Sequence, residues 1–245
     1  MGKKHFDVVI LIGRPASGKS EIIHFLTHTS PQVLQKKFHL GNPDILDDFP
    51  MLWTWLEEDR ILSRDFGQPR LYTDSDGYFK YHYFWDLLIA RLGLEYQKRL
   101  RDDPHYHENT TTIVEFSRGS EHGGYAQAFL HLPDDLLQRA AILYVNVSFL
   151  ESLRKNRRRF NPERPDSILE HSLPDEKLAR LYRDDDWTEI SAGEAGFITV
   201  RSIQVPYAVF ENEDDVTSGE PELLEARLEA VLKRLWGLQK CRASL

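Results

Sequence analysis

Cysteine and long apolar runs are scarce in this sequence, and basic residues are outnumbered by acidic ones. Among 245 residues there is one cysteine, Cys241. A single thiol cannot form an internal disulfide or a multi-thiolate zinc site, and this usage suits a reducing compartment. No apolar run approaches the roughly 20 residues of a membrane-spanning helix. The N-terminal MGKKHF carries charge almost at once, which is unlike a signal peptide. These absences predict a cytoplasmic protein with no membrane partner.

The charge balance excludes a class of partners. The chain has 31 Lys and Arg against 39 Asp and Glu, a net charge of −8. An acidic body repels polyanions, so we expect no binding to nucleic acid polymers. Hydrophobic residues make up 41% of the chain and charged residues 29%, which indicates an ordinary globular protein. A small phosphorylated molecule could still bind where basic residues cluster locally. The expected partner is therefore a small molecule. Homodimer formation stays open.

Apolar segments alternate with helical ones along the chain, which predicts a layered α/β domain. The apolar segments are short, rich in β-branched residues and lack clean alternation, as in a parallel sheet covered on both faces. The predicted strands are 6–12, 37–41, 111–116, 141–147 and 204–210. The predicted helices are 19–28, 79–101 and 221–236. We interpret residues 1–245 as a single domain.

Two connections between predicted strands are much longer than ordinary crossovers. Residues 42–110 separate the second and third strands, and residues 148–203 separate the fourth and fifth. Long excursions in compact domains are usually binding inserts and lids. The first connection is therefore predicted to bind the second substrate, and the second to form a lid.

The strongest motif is GRPASGKS, from Gly13 to Ser20, which fits G-x-x-x-x-G-K-[ST] at every fixed position. A predicted strand precedes it and a predicted helix follows it, the context that a phosphate loop requires. In such a loop the backbone N–H groups surround an anion, the Lys19 ammonium reaches the terminal phosphates and the Ser20 hydroxyl ligates Mg²⁺. The alternative is a glycine-rich turn that binds nothing. The expected nucleotide-binding residues here are Gly13, Ala16, Ser17, Gly18, Lys19, Ser20 and Glu21.

Acidic residues and an arginine follow two of the predicted strands, where the carboxyl edge of a parallel sheet meets its ligand. GNPDILDDFP carries Asp47 and Asp48, either of which could orient an acceptor hydroxyl. IVEFSRG carries Glu115, a candidate to hold hydrated Mg²⁺, and Arg118, a candidate phosphate clamp. The first pair could instead be a cluster that caps the next helix.

Basic residues are densest in SFLESLRKNRRRFNPERP, after the fourth predicted strand. Arg154, Arg157 and Arg158 have the i, i+3, i+4 spacing of one helix face. Phosphoryl transfer requires cations around the departing group, so this face is predicted to close over the reacting phosphate. The alternative is a solvated helix face.

This order of features resembles the P-loop kinases of nucleosides and nucleoside monophosphates. IVEFSRG is similar to the Asp-Gly-x-Pro-Arg segment of adenylate kinases and the Glu-Arg-Ser of deoxynucleoside kinases, and DDFP to the Asp-Asp-Phe of uridine and nicotinamide riboside kinases. The resemblance implies a five-stranded parallel sheet in the order 2-3-1-4-5, with Mg·ATP as the donor. It further implies acceptor binding by residues 42–110 and a position near the adenine for Asn212 or its backbone.

Two functions follow from these features. The leading hypothesis is an ATP-dependent kinase of a small molecule, with a nucleoside or similar hydroxyl compound favoured over a nucleoside monophosphate. The other is a regulatory or interaction protein that binds ATP, or hydrolyses it slowly, without an acceptor. The insert is dense in aromatic residues, some of which could stack on a nucleoside, although most are expected to form the core of a helical subdomain.

Overall fold

A computed structural model describes residues 4–159, 173–219 and 221–242, and within them six strands pair into one sheet. The strands are β1 (Val8–Gly13), β2 (Asn42–Asp47), β3 (Thr110–Phe116), β4 (Ala140–Asn146), β5 (Ala195–Val200) and β6 (Ile203–Glu211). They lie in the order β2-β3-β1-β4-β6-β5. All neighbouring pairs are parallel except β5 and β6, which are antiparallel. The architecture is therefore α/β with a mostly parallel sheet.

The sheet differs from the prediction in its number of strands. Five strands in the order 2-3-1-4-5 were expected, but the described residues form six, because β5 adds an antiparallel edge to β6. This strand lies inside the predicted lid, 148–203, and much of it is only half-buried. Its sequence, AGFITV, is largely apolar, but it lies within the long connection that is interpreted as a lid.

The second strand also lies later than expected. Residues 37–41 are not a strand, because Leu34–Phe38 forms a π-helical turn and His39 adopts a left-handed backbone with φ of 54°. The strand itself, β2, reads NPDILD. Proline and aspartate are unusual in strands, and proline is tolerated here because β2 is at the edge of the sheet.

The helices surround this sheet, and the three predicted ones are confirmed with small changes of boundary. The α-helices of the described residues are α1 (Lys19–Thr27), α2 (Pro31–Val33), α3 (Phe49–Asp65), α4 (Tyr83–Asp102), α5 (Gly124–Leu130), α6 (Asp134–Arg139), α7 (Phe149–Arg159), α8 (Asp175–Tyr182), α9 (Trp187–Ile190) and α10 (Pro221–Arg242). The predicted ones are α1, α4 and α10. No helix in the described part of the chain is long and apolar enough to cross a membrane.

The central strand shows why the strands lack alternation. In β1, Val8, Ile10 and Ile12 join a core cluster with side chains of α4 and α5. Val9 and Leu11 point the other way, into a second cluster with α1 and α10. Both faces of the sheet are thus covered by helices. Ligands of such sheets bind in the crevice at the carboxyl ends of the strands.

The segment between β2 and β3 forms a helical unit with its own aromatic core. Trp55 stacks on Tyr72 with ring centroids 4.9 Å apart, and its edge contacts Phe79 and Phe84 at 5.9 and 5.8 Å. Trp55 is buried, but its ring partners are half-buried and Tyr81 and Tyr83 are exposed, so the expectation that most insert aromatics form a core holds only for part of this set. Because β2 itself occupies 42–47, the excursion from the sheet runs from 48 to 109.

Asp59 of α3 anchors the loop that follows this helix. Its carboxylate is fully buried and accepts hydrogen bonds from the backbone N–H groups of Leu71, Tyr72 and Thr73 at 2.5, 3.1 and 2.6 Å. Burial alone would raise the pKa of Asp59, but hydrogen bonds from Thr73, Leu71 and Tyr72 outweigh it and hold the pKa below its usual value.

We expect Asp59→Asn to lower the free energy of unfolding by about 2–4 kcal/mol at pH 7, because it removes the charge that those donors solvate. A lowered folded-state pKa stabilises the protein above the unfolded value, near 4, and this contribution is lost as the pH falls through the folded value. Urea titrations should therefore show the gap between wild type and variant narrowing below about pH 4. The exposed Asp65→Asn is the control, with no measurable change in the free energy of unfolding expected. A gap that stays constant from pH 7 to pH 3 would contradict this role.

Candidate functional site

A cavity of about 480 Å³ opens at the carboxyl ends of β1, β2 and β3. Its lining includes residues 18–21 beyond β1, 47–50 at the end of β2 and 115–118 at the end of β3. The helical insert and residues of α7 and α8 supply the remaining walls. This volume lies in the range of small-ligand pockets. The sheet thus brings together three segments that are far apart in the sequence.

The GRPASGKS loop combines left-handed backbone positions with the start of a helix. Ala16 and Gly18 adopt left-handed backbone conformations, with φ of 56° and 112°. A Cβ at Gly18 would lie 2.5 Å from Nδ2 of Asn212 and 2.6 Å from Oγ1 of Thr217, so this position requires glycine. Directly after it, α1 begins at Lys19. The positive end of that helix therefore faces the cavity, where it favours a phosphate.

Lys19 is the buried cation of the site. Its ammonium donates to the carbonyl oxygens of Gly13 and Arg14 at 3.2 and 3.0 Å, and to Oγ of Ser117 at 2.9 Å. The nearest carboxylate oxygen of Glu115 lies 3.9 Å away. Burial lowers the pKa of Lys19, and Glu115 and Asp47 act in the opposite direction. The lysine is thus fixed between the loop and the acids.

Two carboxyl groups face each other across the ends of β2 and β3. Asp47 and Glu115 are register partners on these parallel strands, and both line the cavity. Burial, reinforced by Glu115 and Asp48, raises the pKa of Asp47 to about 8. Burial also raises the pKa of Glu115, although Lys19 opposes it. Carboxyl groups held this close together favour the binding of a further cation beside them.

The residues present fit a Mg²⁺ ion of the kind that accompanies nucleotides. In the described ranges, no three His, Cys, Asp or Glu side chains come together as a protein-only metal site. Mg²⁺ usually keeps several waters and is bound by one or two carboxylates together with substrate phosphates. Glu115 and the exposed hydroxyl of Ser20 both border the cavity and could supply such a partial set.

Asp48 and Arg118 are paired with each other. Arg118 Nη1 lies 2.7 Å from Asp48 Oδ2, and both side chains are buried. The guanidinium also donates to the carbonyl oxygens of Ser117 and Trp85 at 2.7 and 3.1 Å. Each residue was predicted to meet a substrate group, as base or as clamp. Both line the cavity, where each offsets the charge of the other and the pair ties the insert to the sheet. Sequence alone could not show that the two charges meet.

The three predicted lid arginines lie on the side of α7 that faces other acids. Arg154 and Arg158 pair with Asp215 at 2.9 and 3.1 Å. Arg157 pairs with Asp175 at 2.6 Å. None of the three lines the cavity. The expectation that this face of the helix closes over the reacting phosphate therefore does not match the structure. Part of the predicted lid, 160–172, lies outside the described residues.

Other basic residues of the same region do reach the cavity. Arg159 of α7 and Lys177 and Arg180 of α8 all line it. The Arg180 guanidinium lies 4.0 Å from the ring centroid of Tyr78, another lining residue. Arg159 belongs to the basic run that the sequence identifies, one position beyond the predicted set. The run alone does not reveal which face of the helix turns inward, because that depends on the distant Asp215 and Asp175.

Two further predicted residues, Glu21 and Asn212, lie in different surroundings. Glu21, like Ser20, is exposed at the start of α1 and borders the cavity. Asn212, in contrast, is fully buried, and its amide donates to the carbonyl oxygen of Ser17 at 2.7 Å. The side-chain amide is thus committed to the phosphate loop, while a position of the Asn212 backbone beside the adenine stays a prediction.

No protein-family model and no curated protein matches this chain. Solved structures that resemble it include an unliganded sugar kinase from Janibacter sp. HTCC2649, which is 13% identical with a TM-score of 0.41 over 93% of this chain and 95% of that chain. Another is APE1195, 16% identical with a TM-score of 0.42 over 94% of this chain and 98% of that one. Neither likeness is close enough to assign a role to a residue of this chain.

The two faces of α7 lead to opposite expectations. If the cavity turns over ATP, as the GRPASGKS motif predicts, Arg159→Ala should slow that turnover by about tenfold to a thousandfold, the range for losing one charge that stabilises a transition state. Arg157→Ala, which removes a guanidinium paired with Asp175 on the surface, should change kcat less than about twofold. Steady-state kinetics of the two variants make the comparison. Equal losses in both, or a loss in Arg157→Ala alone, would contradict the orientation of this helix.

Proposed function

We propose that the protein is a P-loop kinase that transfers the terminal phosphoryl group of Mg·ATP to a hydroxyl group of a small molecule, a nucleoside or a similar compound. The observation that supports this most is the position of Lys19 between the GRPASGKS loop and the carboxyl groups of Asp47 and Glu115, beside one cavity. Phosphoryl transfer depends on positioning and on charge stabilisation. These residues supply both.

At the donor end, the loop N–H groups and Lys19 would hold the phosphates of ATP. Ser20 and Glu115 would hold Mg²⁺, which neutralises phosphate charge when bound. Arg159 would add positive charge from α7.

At the acceptor end, Asp47 would orient the attacking hydroxyl and take its proton. It borders the same cavity as Lys19, and a carboxylate at that position could accept the proton of a bound hydroxyl. Aromatic side chains of the insert form the wall beyond it, among them Phe49, Trp53, Phe79 and Trp85. Such a wall suits an acceptor with a flat apolar body.

The state of Arg118 favours a hydroxyl acceptor over a phosphate acceptor. A phosphate brings about two negative charges and requires an arginine that can make bidentate contact. The guanidinium of Arg118 already pairs with Asp48. To clamp a phosphate it would leave a buried carboxylate unpaired, which is costly. In this proposal residues 1–245 form one kinase domain, with acceptor recognition by the insert and with α7 and α8 as parts of a lid.

Lys19→Met tests the donor site. We expect the affinity for Mg·ATP to fall about ten- to a hundredfold, because a charged hydrogen bond to phosphate is lost, while the thermal midpoint stays close to that of wild type. Isothermal calorimetry measures the affinity. Lys98→Met, which removes a surface lysine paired with Glu95, is the matched control. Equal affinities for wild type and Lys19→Met would remove the basis of the proposal.

Asp47→Asn tests the acceptor chemistry. We expect kcat for a nucleoside acceptor to fall about a hundredfold or more, the usual contribution of a positioned base. Asp44→Asn is the control on the same strand, since Asp44 pairs with Arg99 away from the cavity. Wild type should use the nucleoside better than its monophosphate. Full activity of Asp47→Asn, together with preference for the monophosphate, would show that the acceptor group is a phosphate.

A further inference from the structure

We propose that the loop after β6, residues 212–218, is a positioning element for the phosphate loop, with Asn212 and Thr217 as its contact residues and α7 as its anchor. The inference rests on the proposed function in one respect, that the GRPASGKS loop binds the phosphates of a nucleotide. It assigns to Asn212 and Thr217 a role that does not require either residue to touch the ligand.

Asn212 contacts the phosphate loop directly from the side of the protein core. Its Nδ2 donates to the carbonyl oxygen of Ser17 at 2.7 Å and to Oγ1 of Thr217 at 2.8 Å. Its Oδ1 accepts from the backbone N–H of Thr217 at 3.2 Å. Because that N–H can only donate, the orientation of the amide is fixed by its surroundings. Asn212 is fully buried and Thr217 nearly so.

The hydrogen bond to Ser17 sets the direction of one peptide group of the loop. In a trans peptide the C=O and the following N–H point in opposite directions, and the described chain contains no cis peptide bond. With the Ser17 carbonyl held by Asn212, the N–H of Gly18 is turned away from the core. Cradles of this kind bind phosphate through such N–H groups. The same contact explains why Gly18 has no room for a Cβ.

The positioning loop is in turn fixed to α7. Lys155, a buried residue of this helix, donates to Oγ1 of Thr217 at 3.2 Å and pairs with Asp215 at 2.7 Å. Arg154 and Arg158 pair with the same aspartate. Burial would raise the pKa of Asp215, but hydrogen bonds from Lys155, Ser218 and Arg154 lower it to about 2. Asp215 therefore stays charged and holds the helix at neutral pH.

A second contact joins α7 directly to the phosphate loop, without passing through residues 212–218. Ser152 Oγ donates to the carbonyl oxygen of Pro15 at 2.7 Å. The loop is thus held at Pro15 by the helix and at Ser17 by Asn212, on either side of the left-handed Ala16. Arg154 and Arg158, which the sequence suggests as phosphate contacts, hold α7 to the 212–218 loop through Asp215.

Substitutions at Asn212 and Thr217 test the inference through two independent measurements. Asn212→Ala and Thr217→Val should raise the Kd for Mg·ATP about three- to tenfold, as expected when one or two neutral hydrogen bonds are lost, and should change kcat at saturating ATP less than twofold. Thr217→Ser keeps the hydroxyl and should behave as wild type. Asn146→Ala, which removes an exposed amide that contacts Glu211, is the matched control.

Amide hydrogen exchange in the absence of nucleotide separates this inference from the proposed function. We expect Asn212→Ala and Thr217→Val to speed exchange in residues 13–20, whether or not the wild type binds ATP. If the wild type binds no ATP, the proposed function fails while faster exchange still supports the positioning role. The inference is overturned if amide exchange is unchanged in both variants. It is also overturned if the wild type binds ATP and both variants bind it with the same affinity. If Asn212→Ala does not fold, the pair Thr217→Val and Thr217→Ser decides the same question.

Discussion

The ammonium group of Lys19 lies in a buried position between a loop of backbone carbonyls and the ends of two strands. Burial of a charge is costly unless partners surround it. Two carbonyl oxygens, the Ser117 hydroxyl and the nearby Glu115 supply these partners. They also restrict the ammonium to one place, beside the first turn of α1. The geometry of the candidate site follows from this restraint.

The parallel sheet explains how such a site can be assembled from distant segments. Parallel strands place their carboxyl ends at one edge, and the register pairs Asp47 with Glu115 across that edge. Because both faces of the sheet are covered by helices, that edge is the place where polar groups can meet a ligand. The Asp48–Arg118 pair then joins the strand ends to the insert. In the proposed kinase, acceptor recognition and phosphate binding would thereby share this base.

Local features of this structure could be predicted from the sequence, and long-range ones could not. The GRPASGKS loop is encoded in eight consecutive residues, so its motif, its strand and its helix were all visible. The strand NPDILD was missed, because its position at the sheet edge permits proline and aspartate there. Arg157 and Arg158 were predicted to face the site, but the neighbouring Arg159 lines the cavity. The orientation of α7 depends on ion pairs with the distant Asp215 and Asp175. The role of Asn212 depends likewise on contacts across 195 residues of sequence.

The most direct test of the central claim is a phosphoryl-transfer screen with the wild-type protein. Mg·ATP is incubated with a panel of nucleosides, their monophosphates, sugars and vitamins, and both ADP and the phosphorylated product are quantified. The account predicts that ADP forms in step with the phosphorylation of one class of hydroxyl acceptor, and that little forms without it. ADP formation at the same rate with and without every acceptor would contradict it, and would indicate a protein that binds and slowly hydrolyses ATP.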